Sequence, residues 1–485
     1  MKHDVVIIGS GLGALVCGSL LAQAGKSVLL LERQLQPGGC MQSYRRKGLL
    51  FDTGLHYVGG LAPGQRLHKV FSRLGLMSLP WVRLDAEGFD RVTIGQHTYC
   101  FAEGYQQFAD TMAGYFPSER KALLQFVTVL QLLEDAPLES PLVQNYFGQS
   151  AYGYLNDTFS DPLLVNVLAG TALKMELRRD SLPLFTFAHG NSSFIGSSWR
   201  LKGSGQQLVQ ALAENIRAAG GNIECQAEVV ELIEKSGQIS AARCRNGEVY
   251  EGRTFISDVH PAQTFALLKE SGVLKKLFRR RISCMENTNG MFTVSLVLKP
   301  DTLPYFNHNK FVYRKPNVWT MCDDEAECIG GVMVSARVPE DGSKHVRQID
   351  LLTPMPWHGC QLWTDTKIGR RGADYEAMKN RLADQCVELA EREIPGLRQL
   401  VVERYTSTPL TWRDYTMTPD GSAYGVRKDY RNPMMTILSP RTPIPNLLLT
   451  GQNLLLHGVE GVTMTALMTC GELLGKDYIR KCFEL

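Results

Sequence analysis

At 485 residues the chain is too long for one ordinary hydrophobic core and implies two or three domains. Its 44% hydrophobic and 21% charged residues are those of a soluble globular protein, and a net charge of +3 leaves no electrostatic footprint for nucleic acid. Twelve cysteines without a C-x-x-C pair, Cys322 and Cys328 being the nearest two, read as reduced core thiols, so a dithiol mechanism and a metal site both lose support.

The chain opens on "DVVIIGSGLGALVCGSLLAQAGKSVLLLER". By hydropathy alone Val5 to Ala24 passes for a secretory signal or a membrane anchor. The glycines say otherwise. Val5 to Ile8 is a β-branched run suited to a strand buried on both faces, and Gly9, Gly11 and Ala14 follow it as G-x-G-x-x-A. Gly9 allows the tight turn, Gly11 lets backbone approach a pyrophosphate, and Ala14 lets the next helix pack closely on the sheet. An anion then rests on the N-terminus of a helix expected from Leu12 to Ala24. Ser27 to Leu31 makes a second strand, ended by Glu32, where an acid hydrogen-bonds an adenosine ribose. With no A-x-A cleavage site and no stop-transfer run, the segment reads as retained, in a cytoplasmic protein.

Next comes "RQLQPGGCMQSYRRKGLLFDTGLHYVGG". A simple nicotinamide dehydrogenase needs no second glycine pair there. Gly38-Gly39 offers another close backbone approach to a bound pyrophosphate, with Arg33, Ser43 and Arg45 available to the phosphates. The stretch 76–195 is rich in helical pattern, clearest in Ser118 to Asp135 behind a Ser cap. Gly203 and Gly205 precede a helix, Gln207 to Ala219, but no β-branched strand leads into them, so a second nicotinamide fold is not expected. Strands Asn222 to Cys225 and Glu228 to Leu232 follow, and "RTFISDVHP" closes the unit near Asp258 and Pro261. "LLKESGVLKKLFRRRIS" sets Lys275, Lys276, Arg279, Arg280 and Arg281 around Leu274, Leu277 and Phe278. It reads as a solvated helix face or as a peripheral contact with an anionic membrane. In 290–415, strands such as Met291 to Lys299 and Gly331 to Val338 alternate with a charged helix, Asp374 to Ile394. "PNLLLTGQNLLLHGVEGVTMTALMTCGELLG" then gives a strand, Asn446 to Leu449, and a small-residue helix from about Gly461.

Together "DVVIIGSGLGAL", "ER…PGG", "FDTGLHYVGG", "TPDGSAYGV" and "LLLTGQNLLLHGVEGVTMTALMTCGELL" resemble the phytoene-desaturase-like FAD flavoproteins, and within them the carotenoid isomerase and retinol saturase branch. The resemblance runs end to end and concentrates in the flavin-binding segments. It implies an α/β fold: a Rossmann-type FAD-binding domain of the glutathione-reductase-like, two-dinucleotide-binding kind (1–75, 196–289 and 416–485) with an inserted α+β substrate domain (76–195 and 290–415). By the same resemblance Gly9, Gly11, Leu12, Gly13 and Ala14 hold the pyrophosphate and Glu32 the ribose. Gly38, Gly39, Cys40 and Arg45 line the cavity, Val229 offers its backbone to adenine, and Gly54, Leu55, His56 and Tyr57 run beside the isoalloxazine. Gly451 and Gln452 meet the pyrophosphate and ribityl chain, while Gly461, Val462 and Thr463 cap the pyrimidine edge. Ala14 replaces the usual glycine, and Gln452 stands where many relatives place an acid.

A flavin exchanges a hydride at N5, and the protein supplies orientation, electrostatics and sometimes a proton. His56, Tyr57, His457 and Glu460 are the polar side chains expected nearest the ring; His56, Tyr57 and Glu460 are the catalytic candidates. Tyr424 is expected to pack or to line the site. The expected reaction saturates, isomerises or desaturates a conjugated isoprenoid or related lipid in an apolar tunnel, with an external electron donor or acceptor. An FAD amine oxidase is the alternative, although no motif marks the aromatic pair that would frame a small amine. A flavin-dependent structural or chaperone-like protein without turnover is the third.

Overall fold

The computed structural model describes residues 2–136, 140–321, 328–340 and 342–483; Cys322 lies outside them. The chain begins with β1 (His3–Ile8), α1 (Leu12–Gln23) and β2 (Val28–Leu31). The same layer later gains α2 (Gln206–Ala218), β3 (Asn222–Glu224), β4 (Val229–Lys235), β5 (Gln238–Cys244) and β6 (Val249–Ser257). Near the C-terminus it gains β7 (Leu447–Leu449) and α3 (Gly458–Leu474). The parallel strand order is β3-β2-β1-β6-β7, with Val5 opposite both Val28 and Thr254, and Phe255 opposite Leu447. β6 serves two sheets. Its first half pairs antiparallel with β5, which pairs with β4, and its second half lies between β1 and β7.

Helices cover one face of this sheet and the β4–β5 meander the other, so Val5–Ile8 and Val28–Leu31 are buried on both sides. α1 is enclosed all round, with every residue from Leu12 to Ala22 buried between the sheet, α2 and α3. That enclosure explains its anchor-like hydropathy, because a helix without a polar face needs apolar neighbours on every side. A Cβ on Gly18 would press on Ile216 Cδ1 at 2.9 Å, which measures how closely α1 and α2 cross. Among the described residues no helix is long and apolar enough to cross a membrane.

A second sheet runs Val401–Ser407, Gly290–Leu298, Gln348–Met355, Gly331–Ala336, Asn309–Tyr313, Asp90–Ile94, His97–Phe101. Its neighbours are antiparallel except for Asn309–Tyr313 beside Asp90–Ile94. The hairpin Asp90–Phe101 corrects the helical expectation for its part of the chain. Val92, Thr93 and Ile94 form a β-branched run, and Gly95 takes φ 66° in the tight turn between the strands. The helix Ala373–Ala390 covers one face of this sheet, while Arg120–Asp135 and Leu184–Gly196 build the core on the other. Arg120–Asp135 starts after a 3₁₀ turn, Pro117–Glu119, and has no side-chain cap, so Ser118 is not its N-cap. A short strand, Ser198–Leu201, does precede Gly203, but it pairs antiparallel with Val58–Gly59 and Trp81–Arg83 outside the parallel sheet. In the basic stretch only Lys276–Ser283 is helical. Leu277 projects outward, 78% exposed, while Phe278 packs edge-on against Phe265.

Candidate active site

A chamber of about 320 Å³ runs along the C-terminal ends of β1, β2 and β6. At one end it is lined by Glu32, Arg33 and Val229, in the middle by Gly9, Gly11, Leu12, Gly13, Gly39 and Cys40, and at the far end by Gly54, His56, Gln452 and Val462. This is the crevice outside the strand ends where open α/β sheets place their ligands.

The first turn is tied together by Ser10. Its hydroxyl donates to the Glu32 carboxylate and accepts the Gly38 N–H at 3.1 Å, and Glu32 also accepts the Gln34 N–H at 2.7 Å. Glu32 is thereby fixed at the strand end. A Cβ on Gly39 would lie 3.1 Å from Gly11 Cα, and one on Gly13 would lie 3.0 Å from Gly451 Cα, so three glycine loops converge at the N-terminus of α1. Only glycine permits such an approach. A cradle bare of side chains, an acid at the ribose position and backbone N–H groups at a helix start fit a dinucleotide.

Asp258, at the end of β6, was named in the sequence only as the end of a strand. Its carboxyl accepts the backbone N–H groups of Gly11 and Ala14, and burial with Glu32 nearby pushes it up to about 7. The signal for it was present, because the residue that ends a parallel strand beside β1 must face the glycine turn.

Three expected phosphate contacts need correcting, the first being Arg33, whose guanidinium donates to the Asp414 and Tyr415 carbonyls at 3.0 and 2.8 Å. The Ser43 hydroxyl is spent on Asp52 at 2.7 Å, and Arg45 is exposed on a hairpin, Ser43–Asp52, with its guanidinium on the Gly48 carbonyl. Neither lines the chamber. Ala14, Gly38, Gly451 and Thr463 stand behind the lining, and the Thr463 hydroxyl bonds the Val459 carbonyl. Leu55, Tyr57, Glu460 and Gly461 line a second, inner cavity of about 190 Å³, which shares Gly54, His56 and Tyr424 with the chamber.

His56 faces both spaces. Its Nδ1 is 3.8 Å from the Asp350 carboxylate, its Nε2 is buried without a hydrogen-bond partner, and burial holds the ring below its usual pKa. The Tyr57 hydroxyl donates to Asp90 at 2.9 Å, and burial drives its pKa well above the ordinary phenol value. Burial and the neighbouring Glu134 push Glu460 up to about 8. His457 bonds the Lys174 carbonyl at 3.1 Å and packs against Tyr424, whose hydroxyl donates to the Leu173 carbonyl at 2.8 Å. Among the described residues no cluster suited to a metal ion occurs.

Arg66, Leu455 and Met464 border both the inner cavity and a groove of about 1310 Å³ open to the surface. The groove is walled by apolar residues such as Met434, Ile437, Leu467 and Met468, with Lys69, Glu134, Glu472, Lys476 and Arg480 also on its lining.

The fold and this site define an FAD-dependent oxidoreductase, with a Rossmann-type cofactor domain. Residues 7–74 match the family model for an NAD(P)-binding Rossmann-like domain. The chain is 24% identical to an all-trans-retinol 13,14-reductase of Danio rerio over 99% of its own length and 88% of the relative's. It is 24% identical to a chloroplastic prolycopene isomerase of Daucus carota over 87% of its length and 72% of the relative's. Its fold is similar to that of a cyclohexylamine oxidase from Brevibacterium oxydans, with TM-score 0.62 and 12% identity, covering 98% and 100% of the two chains. The resemblance to the phytoene-desaturase-like flavoproteins, in their retinol saturase and carotenoid isomerase branch, therefore stands.

Proposed function

We propose that the enzyme saturates or isomerises a double bond of a long conjugated isoprenoid or related lipid, with desaturation the less favoured direction. The observation that carries this reading is that the largely apolar groove adjoins the inner cavity at the far end of the chamber, with Arg66, Leu455 and Met464 as their common border. Such an arrangement suits a long chain with few polar groups. The names of the relatives, a retinol reductase and a carotenoid isomerase, point to the same substrate class.

Bound FAD supplies hydride exchange, and the residues of this chain hold it: Gly9 to Gly13 and Gly39 at the pyrophosphate, Glu32 at the ribose, and Gly54, Gln452 and Val462 towards the flavin. Of the three catalytic candidates Glu460 is the proton donor. Burial keeps its carboxyl protonated near neutral pH, whereas the Tyr57 hydroxyl is committed to Asp90. His56 orients or polarises substrate at the junction of the two cavities. Electrons pass to or from an external partner. The protein works in the cytoplasm, and the helix Lys276–Ser283, with Leu277 outward among Lys275, Arg280 and Arg281, is its point of peripheral membrane contact.

The test is anaerobic mixing of the chemically reduced enzyme with an all-trans polyene. Shortened conjugation or altered geometry shifts the absorbance band. Failure with every polyene, together with rapid flavin reduction by amines, moves the enzyme to the amine oxidases.

A further inference from the structure

The inner cavity is lined by two cations, Arg66, which donates to the Ala136 carbonyl at 3.0 Å, and Lys174, which has one long hydrogen bond and one loose ion pair. Lys174 ends the 3₁₀ turn Ala172–Lys174, and that turn is clamped from the C-terminal segment, by the His457 ring on the Lys174 carbonyl and the Tyr424 hydroxyl on the Leu173 carbonyl. The clamp fixes where the side chain points. Its Nζ lies 4.1 Å above the Phe194 ring and 3.5 Å from the Tyr57 hydroxyl, and both of those residues line the inner cavity.

The nearest carboxylate, Asp90, pairs with this ammonium only at the edge of ion-pair range and makes no hydrogen bond to it. Asp90 accepts the Tyr57 hydroxyl at 2.9 Å and the Asn309 amide at 2.8 Å, while Lys174 Nζ stays 3.9 Å away, beyond hydrogen-bond reach. An ammonium carries three donors, and here only the long contact to Tyr57 uses one. Burial lowers the pKa of Lys174 to about 8, with Asp90 opposing the shift, so the cation is still the main form at neutral pH. Leaving buried donors unmade is costly, and a purely apolar occupant would leave them so. Glu460, on the same cavity, is held uncharged near neutral pH and does not repel an anion.

We propose that Lys174 is a substrate-anchoring residue, and that the substrate is a conjugated lipid carrying a terminal carboxylate, which the ammonium binds in the inner cavity while the chain extends along the groove. This rests on the polyene reading and narrows it. Lys174, unlike His56, Tyr57 and Glu460, stands in no recognisable motif, so the sequence alone did not mark it.

The test is binding rather than turnover. The oxidised holoenzyme is titrated with three all-trans polyenes of one length, a carboxylate, the matching primary alcohol and the matching hydrocarbon, following the flavin absorbance and the heat of binding. The carboxylate is expected to bind at least about tenfold more tightly, a difference of about 1.4 kcal/mol. In Lys174→Met that preference disappears while the alcohol and hydrocarbon affinities hold, and Lys174→Arg keeps part of it. Equal binding of all three by the unaltered enzyme overturns the proposal, as does a preference that survives in Lys174→Met. Should Lys174→Met fail to retain FAD, the comparison in the unaltered enzyme decides alone. If no polyene binds, the polyene reading fails; benzoate then tests the anchor separately, and a flavin spectrum that benzoate leaves unperturbed removes the anchor too.

Discussion

The carboxyl group of Asp258 sits so close to the backbone of Gly11 that any Cβ on this glycine would overlap Asp258 Oδ2. The glycine is therefore required twice, once for the approach of a dinucleotide and once for its own neighbour. Gly11→Ala should fold, because β1 and α1 are otherwise untouched, yet emerge without flavin. The check is the absorbance of the purified variant after incubation with FAD. A yellow Gly11→Ala protein with ordinary stoichiometry would place the pyrophosphate elsewhere.

The same pair predicts how cofactor affinity varies with pH. Burial raises Asp258 to about 7, so the group is neutral below that value and anionic above it. An anion beside the glycine cradle opposes a diphosphate, whereas the neutral acid does not. FAD affinity should therefore weaken as pH rises through about 7, and Asp258→Asn should flatten the dependence. Dissociation constants measured by flavin fluorescence between pH 6 and 8.5 decide it. A flat profile in the unaltered protein would mean that Asp258 does not change charge at the cradle.

Much of the cofactor site was legible because its constraints are local. The turn at Gly9, the small residue Ala14 and the acid Glu32 are fixed by one strand, one helix and the next strand, and all three announce themselves by spacing. Ser43 and Arg45 misled for the opposite reason. Their chemistry suits phosphate, but the direction of their hairpin is set by contacts far along the chain, with Arg337 bonding both Leu50 and Asp52. Asp258 was legible from its place at the end of a strand beside β1, whereas Lys174 was illegible as a site residue because its partners, Asp90 and Tyr57, lie more than 80 positions away. The hairpin Asp90–Phe101 was lost among helical neighbours, since its parallel partner Asn309–Tyr313 lies in the other insertion.

Glu460 and His56 can be separated by substitution. Glu460→Gln keeps the size and the hydrogen bonding of a protonated carboxyl but releases no proton. FAD content should be unchanged, and turnover of a polyene should fall by about 10²- to 10⁴-fold, the usual contribution of a positioned acid. His56→Phe keeps a ring at the junction and removes both nitrogens, so it too should retain FAD. If His56 only orients substrate, the loss should appear mainly in KM, and a loss confined to kcat would make it the acid instead. Full activity in Glu460→Gln would end its role as donor.

The last prediction concerns the neck between the groove and the inner cavity. Met464 lies on α3, half-buried, and borders both spaces together with Leu455 and Arg66. A methionine there is adaptable, whereas an indole is larger and rigid. Met464→Trp should close the passage without reaching the glycine cradle at the other end of the chamber. A long polyene would then be turned over at least about tenfold more slowly, equivalent to about 1.4 kcal/mol, at full FAD occupancy. A short conjugated acid small enough to pass the narrowed neck should lose less. Stopped-flow reoxidation of the reduced enzyme by the two substrates gives the comparison. Equal slowing of both would mean that the indole disturbs the cofactor rather than the path, and no slowing of either would mean that substrate enters by another route.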